Sequence, residues 1–236
     1  MVPEGVTAIG DEAFYNCKKL KDIRFPSTLK SLGKSTFYQC GFSTTEPFYV
    51  FLPDELEEMS LSGRNGSFVN KSNNLIFECN LGELPRALCK DSSSFEFTVP
   101  GWHDFLFYYS DFTESTETDP SHKENRLYLK WYLGSAAQVT VPDFVEVVRG
   151  EAFCHEQPDG KNTTMTSLVF QEGLVGFEMN AVNNCTALTS VVIPEGMTEI
   201  AVSAFKGCSA LTRVTFPVHP DQHQNIRISE LRNGGY

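Results

Sequence analysis

The chain has 236 residues, of which 41% are hydrophobic, and its formal net charge is −11 at pH 7. This acidic balance argues against nucleic acid as a partner, because binding phosphates needs a basic stripe. It argues equally against adsorption to anionic membrane, and no apolar run approaches the ~20 residues of a membrane-spanning helix. We therefore expect a folded chain without nucleic-acid partners or membrane insertion, with room for one large domain or two small ones.

The N-terminal residues 1–10 contain neither a basic n-region nor an apolar h-region, so no signal peptide is visible. A repeat is already in progress at Met1, without the polar cap that solenoids normally need. A truncated N-terminus would explain both observations. The compartment is therefore unknown, and intracellular and cell-surface locations both stay open.

The same pattern occurs near both ends of the chain, at residues 3–25 and 194–216. Aligned without a gap, PEGVTAIGDEAFYNCKKLKDIRF and PEGMTEIAVSAFKGCSALTRVTF share Pro-Glu-Gly, an Ala-Phe pair, a cysteine and later apolar positions. Three further units begin at Pro26, Pro142 and Gln171. A repeat of this length predicts stacked units with a shared core.

Each unit predicts two short walls joined by a turn. Stretches such as KDIRF alternate polar and apolar residues, which is typical of a strand with one buried face. The proline that follows removes a backbone donor and ends the strand. An apolar pair, Val6 and Ile9 in the first unit, then returns along the opposite wall. We expect Asp11 or Ser203 to cap a short helical turn that carries Ala-Phe.

Four of the seven cysteines occupy the same position of the unit: Cys17, Cys40, Cys185 and Cys208. A small, easily buried thiol suits an interior ladder against backbone carbonyls. Metal or disulfide chemistry fits less well, because successive ladder cysteines belong to different units. Cys79 and Cys89 lie outside the ladder, and a disulfide between them stays open.

The pattern IPxxVTxIGxxAFxxCxxLxxVxF resembles the BspA-type leucine-rich repeat over residues 2–41 and 141–217. Residues 67–100 resemble the family's hairpin variant, in which an LIF-like strand and a later FTVP strand replace a standard unit. The resemblance implies a leucine-rich-repeat solenoid, a strand-rich right-handed α/β repeat with short helical turns. Members of the family mostly bind other macromolecules, and catalysis is not implied.

We predict a single solenoid over residues 1–236, with a divergent middle at 42–140 and a C-terminal tail at 218–236. Within the middle, FLFYY and LYLKWY read as two strands of a hairpin, in an aromatic-rich segment at 102–132. These aromatics either widen the core or form an exposed binding patch. The candidates for such a patch are Trp102, Tyr109 and Trp131.

The sequence offers no catalytic residue, metal site or cofactor motif. Gly33-Lys34-Ser35 looks like the end of a phosphate-binding loop, but Thr28 stands where that motif needs glycine. His219 and His223 are four apart with a proline between them, which argues against a helical metal site. None of the five histidines falls in a regular repeat position, so no triad can be argued.

If the apolar strand positions point inward, the residues between them form an outward face that solenoids typically use for recognition. These candidate partner-binding residues are Asp22, Arg24, Ser167, Val169, Ser190, Val192, Arg213 and Thr215. The alternative is a merely solvated sheet face.

We therefore predict a non-enzymatic module that binds a macromolecule through protein–protein interaction and is itself a monomer. The partner is a protein or a glycan. Two alternatives are a cell-surface adhesin region of a longer protein and a regulatory arm of a multidomain enzyme.

Overall fold

The structure is a computed structural model. It describes residues 1–40, 48–59, 75–91, 95–112, 124–154, 158–195, 197, 199–216 and 227–228. The chain divides into two compact units. Unit 1 comprises Met1–His103 and Tyr108–Ser110, and unit 2 comprises Asp104–Phe107 and Asp111–Tyr236. That one solenoid runs through both units stays a prediction.

Unit 1 is a strand-rich solenoid with two parallel walls. In chain order its elements are β1 (Ala8–Ile9), β2 (Asp22–Arg24), β3 (Ser31–Leu32), β4 (Phe48–Leu52), β5 (Glu58–Met59), β6 (Leu75–Cys79), α1 (Glu83–Asp91) and β7 (Phe97–Thr98). One wall has the order β1-β3-β5, and the other contains β2, β4, β6 and β7 in that order. Ala8 pairs with Ser31, so the 23-residue spacing of the sequence becomes the register of the sheet.

Unit 2 repeats this arrangement. Its elements are β8 (Phe105–Phe112, which also contributes to unit 1), β9 (Glu124–Tyr132), β10 (Gln138–Thr140), β11 (Val147–Val148), a 3-10 turn (Pro158–Gly160), β12 (Ser167–Val169), β13 (Gly176–Phe177), β14 (Ser190–Val192), β15 (Glu199–Ile200), β16 (Arg213–Thr215) and β17 (Arg227–Ile228). One wall has the parallel order β10-β12-β14-β16. The opposite wall contains β9, β11 and β13, and β15 pairs with β17.

The core lies between the walls and is shared by successive repeats. In unit 2, the rings of Phe153, Phe170, Phe177 and Phe205 follow one another at centroid distances of 5.0–6.2 Å, all in edge-to-face contact. Edge-to-face pairs of this kind add stability beyond the area they bury. Because no repeat buries its phenylalanine alone, the repeats must stack to fold.

The Ala-Phe segments differ from the helical turns that we expected. They are successive β-turns, in which Glu12 (φ 57°) and Asn16 (φ 61°) adopt left-handed backbone conformations. Because of these conformations, every second N–H group points toward the next repeat. Phe14 N–H, for example, donates to the Thr36 carbonyl at 3.0 Å. A helix would use these donors internally, and the interrepeat bonds take their place.

One α-helix, α1, interrupts the strands of unit 1 and was not predicted. It is short, and its buried residue Leu88 lies four residues after the half-buried Leu84. The flanking strands β6 and β7 pair in parallel, with Phe77 opposite Phe97. They are the LIF-like and FTVP strands that the hairpin-variant resemblance implied; residues 67–74 lie outside the described part of the chain.

The cysteine ladder exists, with one exception among the predicted positions. The Cys40 thiol donates to the Phe14 carbonyl at 2.8 Å, and the Cys208 thiol donates to the Val182 carbonyl at 2.9 Å. Each partner carbonyl therefore belongs to the preceding repeat. Cys17, in contrast, is exposed in this structure. The expected interior position is thus wrong for Cys17.

Cys185 is buried but uses a different acceptor, because an insertion alters the repeat before it. The Asn162 side-chain amide donates to the Phe153 carbonyl at 3.0 Å, taking the acceptor that Cys185 would otherwise use. The Cys185 thiol instead donates to the Asn183 carbonyl at 3.6 Å. Its contact with Cys208 and its burial raise the pKa of Cys185, so it remains a thiol.

Cys154 is a further buried thiol that the pattern did not reveal. It follows Phe153 directly and donates to the Asn183 side-chain oxygen at 3.1 Å. Burial raises its pKa to about 11. Cys79 is fully buried, and the question of a disulfide with Cys89 stays open because the Cys89 side chain lies outside the described residues.

The aromatic segment mainly builds core. FLFYY and LYLKWY lie in β8 and β9, which are neighbours in one sheet, as predicted. The buried side chains of this segment include Phe105, Phe107, Leu129 and Tyr132. The polar loop expected between the two strands, at residues 113–123, lies outside the described part of the chain.

Candidate partner-binding face

The outward residues of β10, β12, β14 and β16 form two rows across one wall of unit 2. The parallel register aligns Ser167, Ser190 and Arg213 in one row and Val169, Val192 and Thr215 in the other. These six residues are half-buried or exposed, whereas Leu168 and Val191 between them are fully buried. The structure therefore brings six of the eight outward candidates together on one surface, which we call the unit-2 strand face.

A ladder of threonine hydroxyls borders this face. Thr189 donates to the Thr166 carbonyl at 2.9 Å, and Thr212 donates to the Thr189 carbonyl at 3.2 Å. Each bond ties one repeat to the preceding one. A surface held in this way loses little conformational entropy when a partner binds. Sequence reasoning missed the ladder, although its threonines recur every 23 residues.

A groove of about 480 Å³ opens where β12, β14 and β16 end. Val192, Pro194 and Thr215 line it together with Phe170, and two acidic residues, Asp143 and Glu172, also belong to its lining. Ligand-binding clefts commonly measure ~300–1,000 Å³, so the groove is large enough to hold a few side chains. We call it the strand-end groove.

The two carboxylates of the groove were not predicted, although the sequence carries a signal for them. Four of the five units begin with a proline or glutamine followed by an acidic residue, among them Pro142-Asp143 and Gln171-Glu172. Stacking places these successive acidic residues near one another at the ends of neighbouring strands. These residues come close together only in the folded structure, so the sequence pattern alone does not predict a groove.

The other two outward candidates, Asp22 and Arg24, lie on β2 in unit 1. The Arg24 guanidinium sits 5.5 Å from the centre of the Phe51 ring and 3.5 Å from a carboxylate oxygen of Glu78. Glu78 is only 3% exposed, and its other oxygen lies 3.2 Å from His103 Nε2. Arg24 therefore balances a buried carboxylate, which gives it a structural role in unit 1.

The three aromatic candidates are divided between the two units and differ in burial. Tyr109 is 6% exposed and packs in unit 1, where the Arg86 guanidinium lies 4.4 Å from its ring centre. Trp102 is half-buried in unit 1. Trp131 is half-buried in unit 2, with Lys130 Nζ 4.3 Å from its ring centre. It belongs to β9, in a different sheet from the unit-2 strand face.

Within the part of the chain that the structure describes, no three His, Cys, Asp or Glu side chains group so that they could hold a metal ion. Among these same residues, no helix is long and apolar enough to cross a membrane.

The stacked walls, shared core and thiol ladder define a strand-rich solenoid of leucine-rich repeats. A family model of the BspA type leucine rich repeat region matches six copies, over residues 1–101 and 131–230. Because the match covers most of the sequence, the chain belongs to this family.

The solved structures similar to this chain are bacterial leucine-rich repeat proteins. The T. pallidum leucine rich repeat protein shares 22% identity, with 47% of each chain covered and a TM-score of 0.36. A leucine rich cell surface protein from Faecalibacterium prausnitzii A2-165 shares 16%, covering 93% of this chain and 59% of that chain, with a TM-score of 0.27. A leucine-rich repeat protein from Bacteroides ovatus ATCC 8483 shares 17%, covering 92% and 66%, with a TM-score of 0.29.

This chain therefore spans about half to two thirds of the length of these three proteins. At such low sequence identities, the similarity to these structures says nothing about the function of this chain. No match is found among curated proteins.

Proposed function

We propose that this chain is a non-enzymatic module that binds a protein partner through the unit-2 strand face. The observation that carries the proposal is the alignment of Val169, Val192 and Thr215 as an accessible row on a wall whose other side is core. The row is small and uncharged, so a partner can rest on it without desolvating a charge.

The area of the strand face can be compared with the area that a stable protein–protein interface covers. Four strands spaced ~4.8 Å apart, each three residues long, present roughly 15 Å by 10 Å. A stable interface covers ~800 Å² on each partner, which is several times larger. The strand face is therefore the central part of the interface, and the partner must also contact the neighbouring turns and the strand-end groove.

The side chains with reactive potential favour binding over catalysis. The ladder thiols of Cys40 and Cys208 are buried and donate to carbonyls, so they are not accessible nucleophiles. His103, the one histidine among the described residues, is engaged with Glu78. Both arrangements are structural.

The test compares two variants of the same chain as bait in a quantitative pull-down from cells of the source organism. Val192→Glu combined with Thr215→Glu places two charges in the accessible row. Val202→Glu is the matched control, because Val202 is also exposed (51%) but lies outside the row. We expect the double variant to lose specific partners that the control retains, with unchanged circular dichroism. Undiminished capture by the double variant would refute the proposed face.

A further inference from the structure

The strand-end groove combines an apolar surface with two exposed acidic residues. Val192 is 37% exposed there, beside Pro194 and Phe170. An exposed aliphatic side chain in a concavity offers more contact area to a ligand than one on a flat sheet. The groove therefore suits an aliphatic group better than a polar one.

The charged residues that line the groove in the described part of the chain are both acidic. Asp143 and Glu172 are both exposed, and neither forms an ion pair with another described residue. Among the residues that the structure describes, no lysine, arginine or histidine lines the groove. Arg213, a cation on the same strand face, belongs to the other row. Two exposed acidic residues thus line the groove, on a chain whose net charge is −11.

We propose that the strand-end groove binds a peptide segment in which an aliphatic side chain neighbours lysine or arginine. The aliphatic group packs on Val192 and Pro194, and the cation pairs with Asp143 and Glu172. Complementary charge of this kind steers association and selects among partners. This inference rests on the proposed function, since it specifies the chemistry of the protein partner.

A glycan fits the groove less well. Its hydroxyl groups would exchange hydrogen bonds to water for contact with the aliphatic atoms of Val192 and Pro194, which costs free energy. A second copy of this chain is another possible occupant, because residues 18–21 read Lys-Lys-Leu-Lys. The experiment distinguishes both occupants from a separate protein.

The probe is a fluorescein-labelled hexapeptide that alternates valine and lysine, titrated with the full chain in a fluorescence anisotropy assay. Matched peptides replace lysine by glutamate or valine by serine. We expect the valine–lysine peptide to bind at least tenfold more tightly than either. Asp143→Asn with Glu172→Gln should weaken it about two- to thirty-fold, since the two exposed ion pairs are worth ~0.2–1 kcal/mol each. Raising sodium chloride from 50 to 500 mM should weaken it similarly.

Asp159→Asn is the control, because this exposed aspartate undergoes the same change outside the groove and asparagine tolerates its positive φ of 58°. Equal affinity for the lysine and glutamate peptides, or no binding of either, would overturn the inference. A glycan-array signal lost in Val192→Ser would assign the groove to a glycan instead. Self-association abolished by the Asp143/Glu172 double variant in analytical ultracentrifugation would assign it to a second copy.

The pull-down separates this inference from the proposed function. If Val192→Glu/Thr215→Glu loses partners but the peptides show no charge preference, only the ligand chemistry is wrong. If that variant captures partners undiminished, both the proposed binding through the strand face and the proposed chemistry of the groove are wrong.

Discussion

Replacing Cys208 by lysine tests whether the thiol ladder holds the repeats together. Cys208 is 3% exposed, and its thiol donates to a carbonyl of the preceding repeat at 2.9 Å. Cys17 occupies the same repeat position but is exposed. Cys17→Lys therefore introduces the same side chain at the equivalent position without burying it, which makes it a matched control.

The magnitude follows from burial and the lost hydrogen bond. An uncompensated buried ammonium costs several kcal/mol even after relaxation, and the unsatisfied Val182 carbonyl adds about 1–3 kcal/mol. The sum, about 5 kcal/mol or more, approaches the whole stability of a typical domain, 5–15 kcal/mol. Cys208→Ala removes only the donor and the sulfur, so we expect it to fold and to lose about 2–3 kcal/mol.

The assay is thermal and urea unfolding followed by circular dichroism. For a chain of this size ~1 kcal/mol shifts the melting temperature by ~2–4 °C, so Cys208→Ala should lower the melting temperature by about 4–12 °C. Cys208→Lys should abolish the cooperative unfolding of the C-terminal repeats, and Cys17→Lys should stay within ~2 °C of the wild type. A wild-type melting temperature for Cys208→Lys, or an equal loss for Cys17→Lys, would refute the ladder.

Three further predictions concern backbone, charge and pH. Gly207→Ala should cost at least 1 kcal/mol more than Gly160→Ala in urea unfolding, because both have positive φ but only at Gly207 would a new Cβ meet a neighbouring asparagine; equal costs would contradict this contact. Glu78→Gln should cost about 1–2 kcal/mol by removing a buried charge that contacts Arg24 and His103, and a stability gain would contradict it. Burial raises the pKa of Cys40 and Cys154 to about 11, so the unfolded chain releases these protons first and the free energy of unfolding should fall between about pH 9 and 11. Serine at both positions should flatten that fall, and an unchanged slope would exclude these thiols as its cause.

Several features of the fold were predictable because a repeat constrains them many times over. The 23-residue spacing predicted that Ser190 would align with Arg213, and the apolar alternation predicted which strand side chains are buried. The buried positions of Cys40 and Cys208 followed from the same spacing. In a stacked fold each repeat repeats its neighbour's environment, so sequence position converts directly into spatial position.

Other features could not be predicted from the spacing, because they lie where the repeat is interrupted. Cys154 and Asn162 flank an insertion, and Asn162 takes the carbonyl that the ladder would assign to Cys185. The helix α1 is short, and short helices depend on tertiary packing more than on their own propensity. The β-turns around Phe14 depend on hydrogen bonds to another repeat. The local sequence does not contain that information, and we therefore predicted a helical turn there.

The sequence by itself therefore determined the family, the two walls, the stacking register and the outward rows, because each is a periodic property of the chain. Only the tertiary structure decided that Tyr109 is core, that Arg24 balances Glu78, and that Asp143 and Glu172 flank one groove. Each of these depends on contacts between residues far apart in sequence, which periodicity does not encode. The strand-end groove is also a feature that only the tertiary structure decided, because its lining residues come from several repeats that meet only in the folded chain.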